Sequence, residues 1–572
     1  MADRRICHPC ASVLMAWVIL FGATVLPGCG SLEVTRYYER GALATSAPIA
    51  TEVGKQVLAR GGNAFDAAVA VGFALAVVHP TAGNIGGGGF AVIREGATGQ
   101  IRALDFRETA PGAAFETMYL DSTGSVVAGA STVGARAAGV PGTVAGLFEL
   151  WQKHGTMPWE ELVGMAAILA DTGFIVDNSL ADNISSYAAE LRAFEPTARQ
   201  FLPGGDPVRA GERLTQKDLA KTLFLIAAEG PNGFYTGKTA QRIEECMTAY
   251  GGLITADDLA GYKAVWREPV HFKFDSLDIY SMPPPSSGGL LIGQILKILE
   301  PFNFSGMTPK SPKYIHLFCE ASRLAFADRS MHLADPDFYG VPVEVLLADS
   351  YIRTRRGMIS GDHALLSSDV APGDVAGQES DQTTHYSVCD SDGNMVAVTY
   401  TLNSSFGSLL VVDGAGFLLN NEMDDFSLKP GEPNIYGLIG DEANKIQPGK
   451  RMLSSMSPTL ILKNGQPLMA LGAPGGGKII TTVAQAIMSF SRFRLSPGET
   501  VTQARVHHQW LPDLLYLERG AFDIDVIQEL IRLGHIVEER EPYSDLQLVY
   551  VGPDGLMTGA SDPRGRGTSG GI

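Results

Sequence analysis

The residues best suited to chemistry lie on two strand-like runs. One carries Thr383-Thr384-His385-Tyr386-Ser387, the other Thr399-Tyr400-Thr401. A threonine hydroxyl is a poor nucleophile until a nearby base accepts its proton, so the pattern points to covalent acyl transfer if a base is at hand. The two runs flank Ser391-Asp392-Gly393-Asn394, and Asp-Gly between such runs signals a hairpin. With Asp392 and Gly393 as the two loop residues, Thr383 falls opposite Leu402, within a residue of Thr401. Thr399 and Thr401 share a face because strand side chains alternate. The open end of the hairpin therefore collects hydroxyls.

Other chemistry-like patterns fail on their details. Gly472-Ala-Pro-Gly-Gly-Gly477-Lys478 has the spacing of a phosphate-binding loop, but Ile479 stands where magnesium needs a hydroxyl. Gly86, Gly88 and Ala91 fit a loose dinucleotide fingerprint, yet a strand pattern follows where a helix should open. Gly567-Thr-Ser569-Gly-Gly571 resembles a nucleophile elbow with no helix after it. The 11 histidines show no HExxH pair, and His507-His508, adjacent in sequence, suit packing better than a metal. No metal and no cofactor are expected.

Several elements must hold such residues in place. A helix ending at Arg60-Gly61-Gly62-Asn63 is followed by Phe65 to Val78, which is apolar all round and reads as a fully buried helix. A strand over Phe90–Arg94 comes next, then helices through about 142–190, 213–250 and 311–333. Residues 361–382 are polar, without periodicity, and read as a linker. Length sets the scale: 572 residues exceed a single core, so two bodies are expected. A net charge of −18 disfavours nucleic acid as a partner.

Arg4 and Arg5 precede the apolar stretch 11–26, shorter than a membrane span, which reads as a bacterial-type export signal over 1–28. Leu26-Pro27-Gly28-Cys29 also resembles a lipobox, which leaves plain cleavage and lipidation of Cys29 both open. The expected location is the periplasm, with membrane attachment only through Cys29. Cys246, Cys319 and Cys389 read as buried thiols.

Ten motifs in order make the chain similar to the γ-glutamyltransferase family of N-terminal nucleophile hydrolases: GGNAFDAAVA (61–70), GNIGGGGF (83–90), DFRE (105–108), PPPSSGG (283–289), DQTTHYS (381–387), TYTLNSSFG (399–407), NNEMDDFS (420–427), KRMLSSMSPT (450–459), GAPGGGK (472–478) and GASDPR (559–564). The resemblance implies an α+β fold, the four-layer αββα sandwich. It also implies that the precursor cuts itself between Gln382 and Thr383, leaving a large subunit, 29–382, paired with a small one, 383–572. A cut there frees an α-amino group on the nucleophile's own residue. Its unperturbed pKa of about 7.7–8.0 suits a general base.

The family's roles carry over by motif. Thr383 is the nucleophile and Thr401 its hydrogen-bonding neighbour. Gly475 and Gly476 supply the backbone N–H groups of the oxyanion hole. Arg107, Ser454 and Ser455 match the residues that hold the donor's α-carboxylate; Asn403, Glu422 and Asp425 match those that hold its α-ammonium. Residues 427–450 resemble the bacterial lid, with Tyr436 at its tyrosine. The implied activity is transfer of a γ-glutamyl group from glutathione and related amides to water, an amino acid or a dipeptide. A glutaryl-type cephalosporin acylase and an inactive lipoprotein that binds γ-glutamyl peptides are the alternatives; the acids Glu422 and Asp425 favour an ammonium-bearing donor.

Overall fold

The computed structural model describes residues 36–370 and 383–572, so the export segment with Cys29, and Gln382, lie outside the described residues. Arg36–Ile572 is one compact unit. Length alone suggests two bodies; instead the chain builds two cores within one sandwich.

A seven-stranded antiparallel sheet runs in the order Thr568–Gly571, Gly41–Thr45, Thr384–Asp390, Met395–Thr401, Gly88–Arg94, Ile101–Phe106, Val265–Arg267. A six-stranded one runs Met557–Ser561, Gln547–Val551, Gln466–Gly472, Thr459–Lys463, Leu277–Ser281, Val270–Phe274. Alternation along the first sheet divides its side chains between two cores. Leu43, Ala91, Val388 and Val398 join one core with the helices Pro48–Ala59, Ala64–Val78, Thr143–His154 and Trp159–Thr172. Ala42, Val92, Cys389 and Ala397 face the second sheet, whose own core includes the helices Gly288–Leu299, Pro312–His332 and Lys478–Ser491. The layers are therefore helix, sheet, sheet, helix, as the resemblance implies.

The apolar run at 64–78 is a helix with every residue buried. Asn63 and Asp66 form a capping box that starts it. Cys246, Cys319 and Cys389 are free and buried, as expected. Among the described residues no helix is long and apolar enough to cross a membrane.

The hairpin forms with a register one residue away from the expectation. Cys389 pairs with Met395 and Thr384 with Tyr400. The Gly393 N–H donates to Asp390 O (3.1 Å), the Asp390 N–H donates to Asn394 O (3.1 Å), and Gly393 has φ 81°. The loop thus has three residues, ending in a left-handed glycine that adds a bulge. Asp390 Oδ1 stabilises it by accepting the N–H groups of Asp392 and Asn394, both at 3.0 Å. One step beyond Thr384–Tyr400, Thr383 comes opposite Thr401 rather than Leu402.

Both sheets join strands from before residue 370 to strands from after 383, and the seven-stranded sheet interleaves them. Gly41–Thr45 lies between Thr568–Gly571 and Thr384–Asp390, hydrogen-bonded to both. A cut before Thr383 should therefore leave the halves associated. Processed protein should elute as one species near 60.8 kDa, less any leader, in gel filtration, yet give two bands in denaturing electrophoresis. Separation of the pieces without denaturant would contradict this topology.

Candidate active site

The hairpin register places Thr383 at the mouth of a cleft, 8% exposed. Its walls include Arg107, Thr401, Asn403, Asp425, Tyr436, Ser454, Ser455 and Gly476. The fold thus brings eight of the anticipated residues, besides Thr383, to one place from six separated stretches of chain. Gln382 lies outside the described residues. The Thr401 hydroxyl accepts the Asn403 N–H (2.8 Å), and Asn403 is left-handed at φ 79°, which turns the chain out of its strand into the cleft wall.

No side-chain base serves this threonine through the neighbouring imidazole. His385 is fully buried, its Nδ1 2.8 Å from Thr399 Oγ1 and its Nε2 3.0 Å from Ser387 Oγ. Burial pushes its pKa down to about 3, so it is neutral and committed to the sheet. An α-amino group on Thr383 itself would supply the missing base.

The glycine turn follows the strand Gln466–Gly472 and opens the helix Lys478–Ser491. Gly475 has φ 125° and Gly476 φ 54°. A Cβ on Gly476 would sit 2.6 Å from the Tyr436 ring, and one on Gly475 would strike Ser544 Oγ. Only glycine lets this main chain come so close to the lid tyrosine. Gly476 lines the cleft with Thr383; Gly475 is its immediate neighbour in the turn.

Opposite the hydroxyls lies a buried charge cluster. Arg107, 1% exposed, follows the strand Ile101–Phe106. Its Nη1 is 2.5 Å from Glu422 and 3.6 Å from Glu108, and its Nη2 donates to Asp425 Oδ2 at 2.5 Å. An arginine flanked by acids in sequence is ordinarily a surface ion pair; here the pair is in the interior. Burial works against the guanidinium's charge, but Glu422, Asp425 and Glu108 outweigh it and hold the proton firmly. Burial raises the pKa values of Glu422 and Asp425, an effect Arg107 opposes, and Glu108 is pushed up to about 7. Glu422 is fully buried beside Arg107 and couples to Asp425 through a side-chain hydrogen bond, while Asp425 is the acid that lines the cleft.

The serine pair completes the wall. Ser454 Oγ accepts the Met456 N–H at 3.1 Å, while Ser455 Oγ is buried with no partner among the described residues. Residues 427–450 close over the cleft. The Tyr436 hydroxyl donates to Asn403 O (2.5 Å) and Asn434 Nδ2 to Asp425 Oδ1 (2.9 Å). Asp424 is buried and accepts the Ile435 N–H at 2.9 Å, tying residues 427–450 to the acids below.

One charged residue of this neighbourhood escaped the sequence reading. Arg329, near the end of the helix Pro312–His332, lines the cleft, and its Nε donates to Ser287 Oγ at 3.1 Å. The only prior signal was a charged residue in a helix turn otherwise destined for the core. Elsewhere, folding gathers His316, Glu320 and His535, dispersed in sequence, with ligand atoms within 4.8 Å. The two rings hydrogen-bond each other at 2.8 Å, and Arg323 beside Glu320 already supplies positive charge, so the cluster reads as a polar network. His507 and His508 are buried in hydrogen bonds, as their packing role requires.

A threonine opening a central strand of an αββα sandwich, beside a glycine turn of backbone donors, defines the N-terminal nucleophile hydrolase class. Residues 50–572 match the family model described as gamma-glutamyltranspeptidase, and the chain belongs to that family. The glutathione hydrolase proenzyme of Escherichia coli is 47% identical over 92% of this chain and 90% of its own. A solved gamma-glutamyltranspeptidase of Helicobacter pylori is 45% identical, with TM-score 0.56, over 57% of this chain and 94% of that one. A cephalosporin acylase of Bacillus halodurans superposes with TM-score 0.84 over 97% of this chain and 99% of its own, at 27% identity.

The raised Glu422 carboxyl makes a pH prediction. A raised pKa means that the neutral acid appears at higher pH than for an ordinary glutamate, near 4.3. The counter-charge to a donor ammonium is then lost early on acidification. For a γ-glutamyl anilide, KM should rise as pH falls, starting above the ordinary carboxylate range. In Glu422→Gln, KM should be high already and nearly flat across that window; an unchanged acid limb in the variant would refute Glu422 as the titrating group.

Proposed function

We propose that this chain is the precursor of a γ-glutamyltransferase that cleaves the γ-glutamyl amide bond of glutathione and related compounds. The observation that carries the reading is the Arg107–Asp425 pair sharing one cleft with Thr383, with Glu422 buried against Arg107. Without ligand, the guanidinium pairs with both acids, whose pKa values burial raises. The donor's α-carboxylate and α-ammonium can insert between them as a zwitterion of matching polarity, with no net charge buried. Asn403 then accepts from the ammonium, and Ser454 with Ser455 donates to the carboxylate. That holds the γ-carbonyl at a set distance from the anchored end, at the hydroxyl of Thr383.

The chemistry follows from this placement. The α-amine of Thr383, freed by the cut after Gln382, takes the hydroxyl proton as Oγ bonds to the γ-carbon. The developing oxyanion faces the Gly475 and Gly476 N–H groups, fixed donors of the kind that contribute about 10²–10³-fold to rate. The protonated amine then gives its proton to the departing amide nitrogen, leaving a γ-glutamyl ester on Thr383. Water or the amine of an amino acid or dipeptide attacks that ester, and the same group relays the proton. Self-cleavage uses the same atoms, with the Gln382 carbonyl in the donor's place: an N-to-O acyl shift, then hydrolysis of the ester.

The cephalosporin acylase likeness supports a second reading within the fold, a glutaryl amide as donor. A glutaryl group has no ammonium, and would leave the buried Glu422 and Asp425 with only their arginine partner. The higher identity to the glutathione hydrolase relatives also favours the γ-glutamyl donor. The charged, apolar N-terminus supports placing the mature enzyme in the periplasm, with the two chains as a heterodimer.

Thr383→Ala should remain one uncut band and show no turnover; a cut, active variant would remove Thr383 from both roles. Processed wild-type protein given a γ-glutamyl anilide and a glutaryl anilide side by side should prefer the first by at least 10²-fold. Turnover of the glutaryl anilide alone would select the acylase.

A further inference from the structure

Arg107 enters the donor site with its donor groups already engaged: Nη1 by Glu422, Nη2 by Asp425 at 2.5 Å and Leu453 O at 3.5 Å, and Nε by Met452 O at 3.4 Å. A carboxylate arriving at this wall must share that guanidinium with two acids. The second cation of the same cleft is differently placed. Arg329 is 5% exposed and lines the cleft together with Ser454 and Ser455. Its Nε donates to Ser287 Oγ; its two terminal nitrogens have no hydrogen-bond or ion-pair partner among the described residues.

Its support is fixed to the carboxylate side of the site. Ser287 donates to Ser454 O through both its N–H and its hydroxyl, each at 2.8 Å. The backbone of the serine pair and the guanidinium of Arg329 are thereby held as one unit. A merely structural arginine in a last helical turn would reach toward solvent, where the helix dipole suffices to hold it. This one is buried without an anion in contact, an unfavourable state unless a partner arrives. Desolvation pushes its pKa down to about 10 and the field of Asp425 raises it, so it stays charged at neutral pH.

Resting on the γ-glutamyl reading above, we propose that Arg329 is a second, specificity-determining contact of the donor's α-carboxylate, reaching it from the wall it shares with Ser454 and Ser455. Arg107 then serves both ends of the donor, because its charge opposes the burial that favours neutral Glu422 and Asp425. Arg329 contacts the carboxylate end and touches the ammonium end only through its field on Asp425. The two arginines are thus separable by which part of the donor their loss penalises.

The test compares a γ-glutamyl anilide with a 4-aminobutyryl anilide, which keeps the ammonium and the amide but lacks the α-carboxylate. In processed Arg329→Gln, kcat/KM for the γ-glutamyl anilide should fall about 10- to 10²-fold, the range of a lost hydrogen bond to a charged group. The loss should lie mainly in KM, and the 4-aminobutyryl anilide should change less than about 2-fold. Arg329→Lys, which retains the charge without the fork, should recover part of the discrimination, and it carries the test if the glutamine variant does not process. Arg107→Gln should depress both donors. Equal losses on both anilides in the Arg329 variants, or no loss on either, would overturn the proposal. Wild-type protein that fails on the γ-glutamyl anilide would instead refute the underlying donor assignment.

Discussion

The pairing of the strand Thr384–Asp390 with Gly41–Thr45 on one side and Met395–Thr401 on the other is what the rest of the molecule depends on. It sets Thr383 opposite Thr401 at a strand end, where a main-chain nitrogen can be exposed without breaking a ladder bond. It also binds segments from before residue 370 to segments from after 383. A nucleophile that must use its own α-amine as base needs a chain terminus, and a terminus ordinarily frays. Placing it at the start of a central strand, with cores on both faces, reconciles a free amine with a rigid position.

The same logic governs the charges. Burying Glu422 and Asp425 is tolerable because both pair with Arg107, yet that pairing is provisional. A zwitterionic ligand exchanges one set of ion pairs for another of equal count. The cleft is thereby preorganised for an α-amino acid end and unfavourable to a donor that supplies only one charge. Residues 427–450 extend the arrangement: Asp424 and Asp425 accept hydrogen bonds from Ile435 and Asn434, so that segment is fastened to the acids beside Arg107.

Glycine does the remaining work where chain must meet chain. Gly475 and Gly476 adopt left-handed conformations beside Ser544 and Tyr436, in a turn whose spacing mimics a phosphate-binding loop. The shared pattern has a shared geometric result: both turns bring successive glycine N–H groups to the start of a helix. Ile479, buried in the core, is what separates the two uses.

Much was legible from residue order. The all-apolar run at 64–78, the hairpin around Asp392-Gly393 and the ordered motifs determined the buried helix, the nucleophile's strand and the family, because each rests on local pattern or on residue identity. Tertiary structure decided what local pattern cannot carry. The hairpin closes through three residues rather than two, since Asp390 accepts N–H groups from its own loop, and that one-residue slip is what aligns Thr383 with Thr401. The depth of Arg107 and Asp424 was invisible, because burial depends on elements hundreds of residues away. Arg329 was invisible for the same reason: a cation in a helix turn reads as solvent-exposed until Ser287 and Ser454 are folded against it. Residue types determined which reaction was chemically available; the packing of the two sheets decided which of those residues meet the substrate.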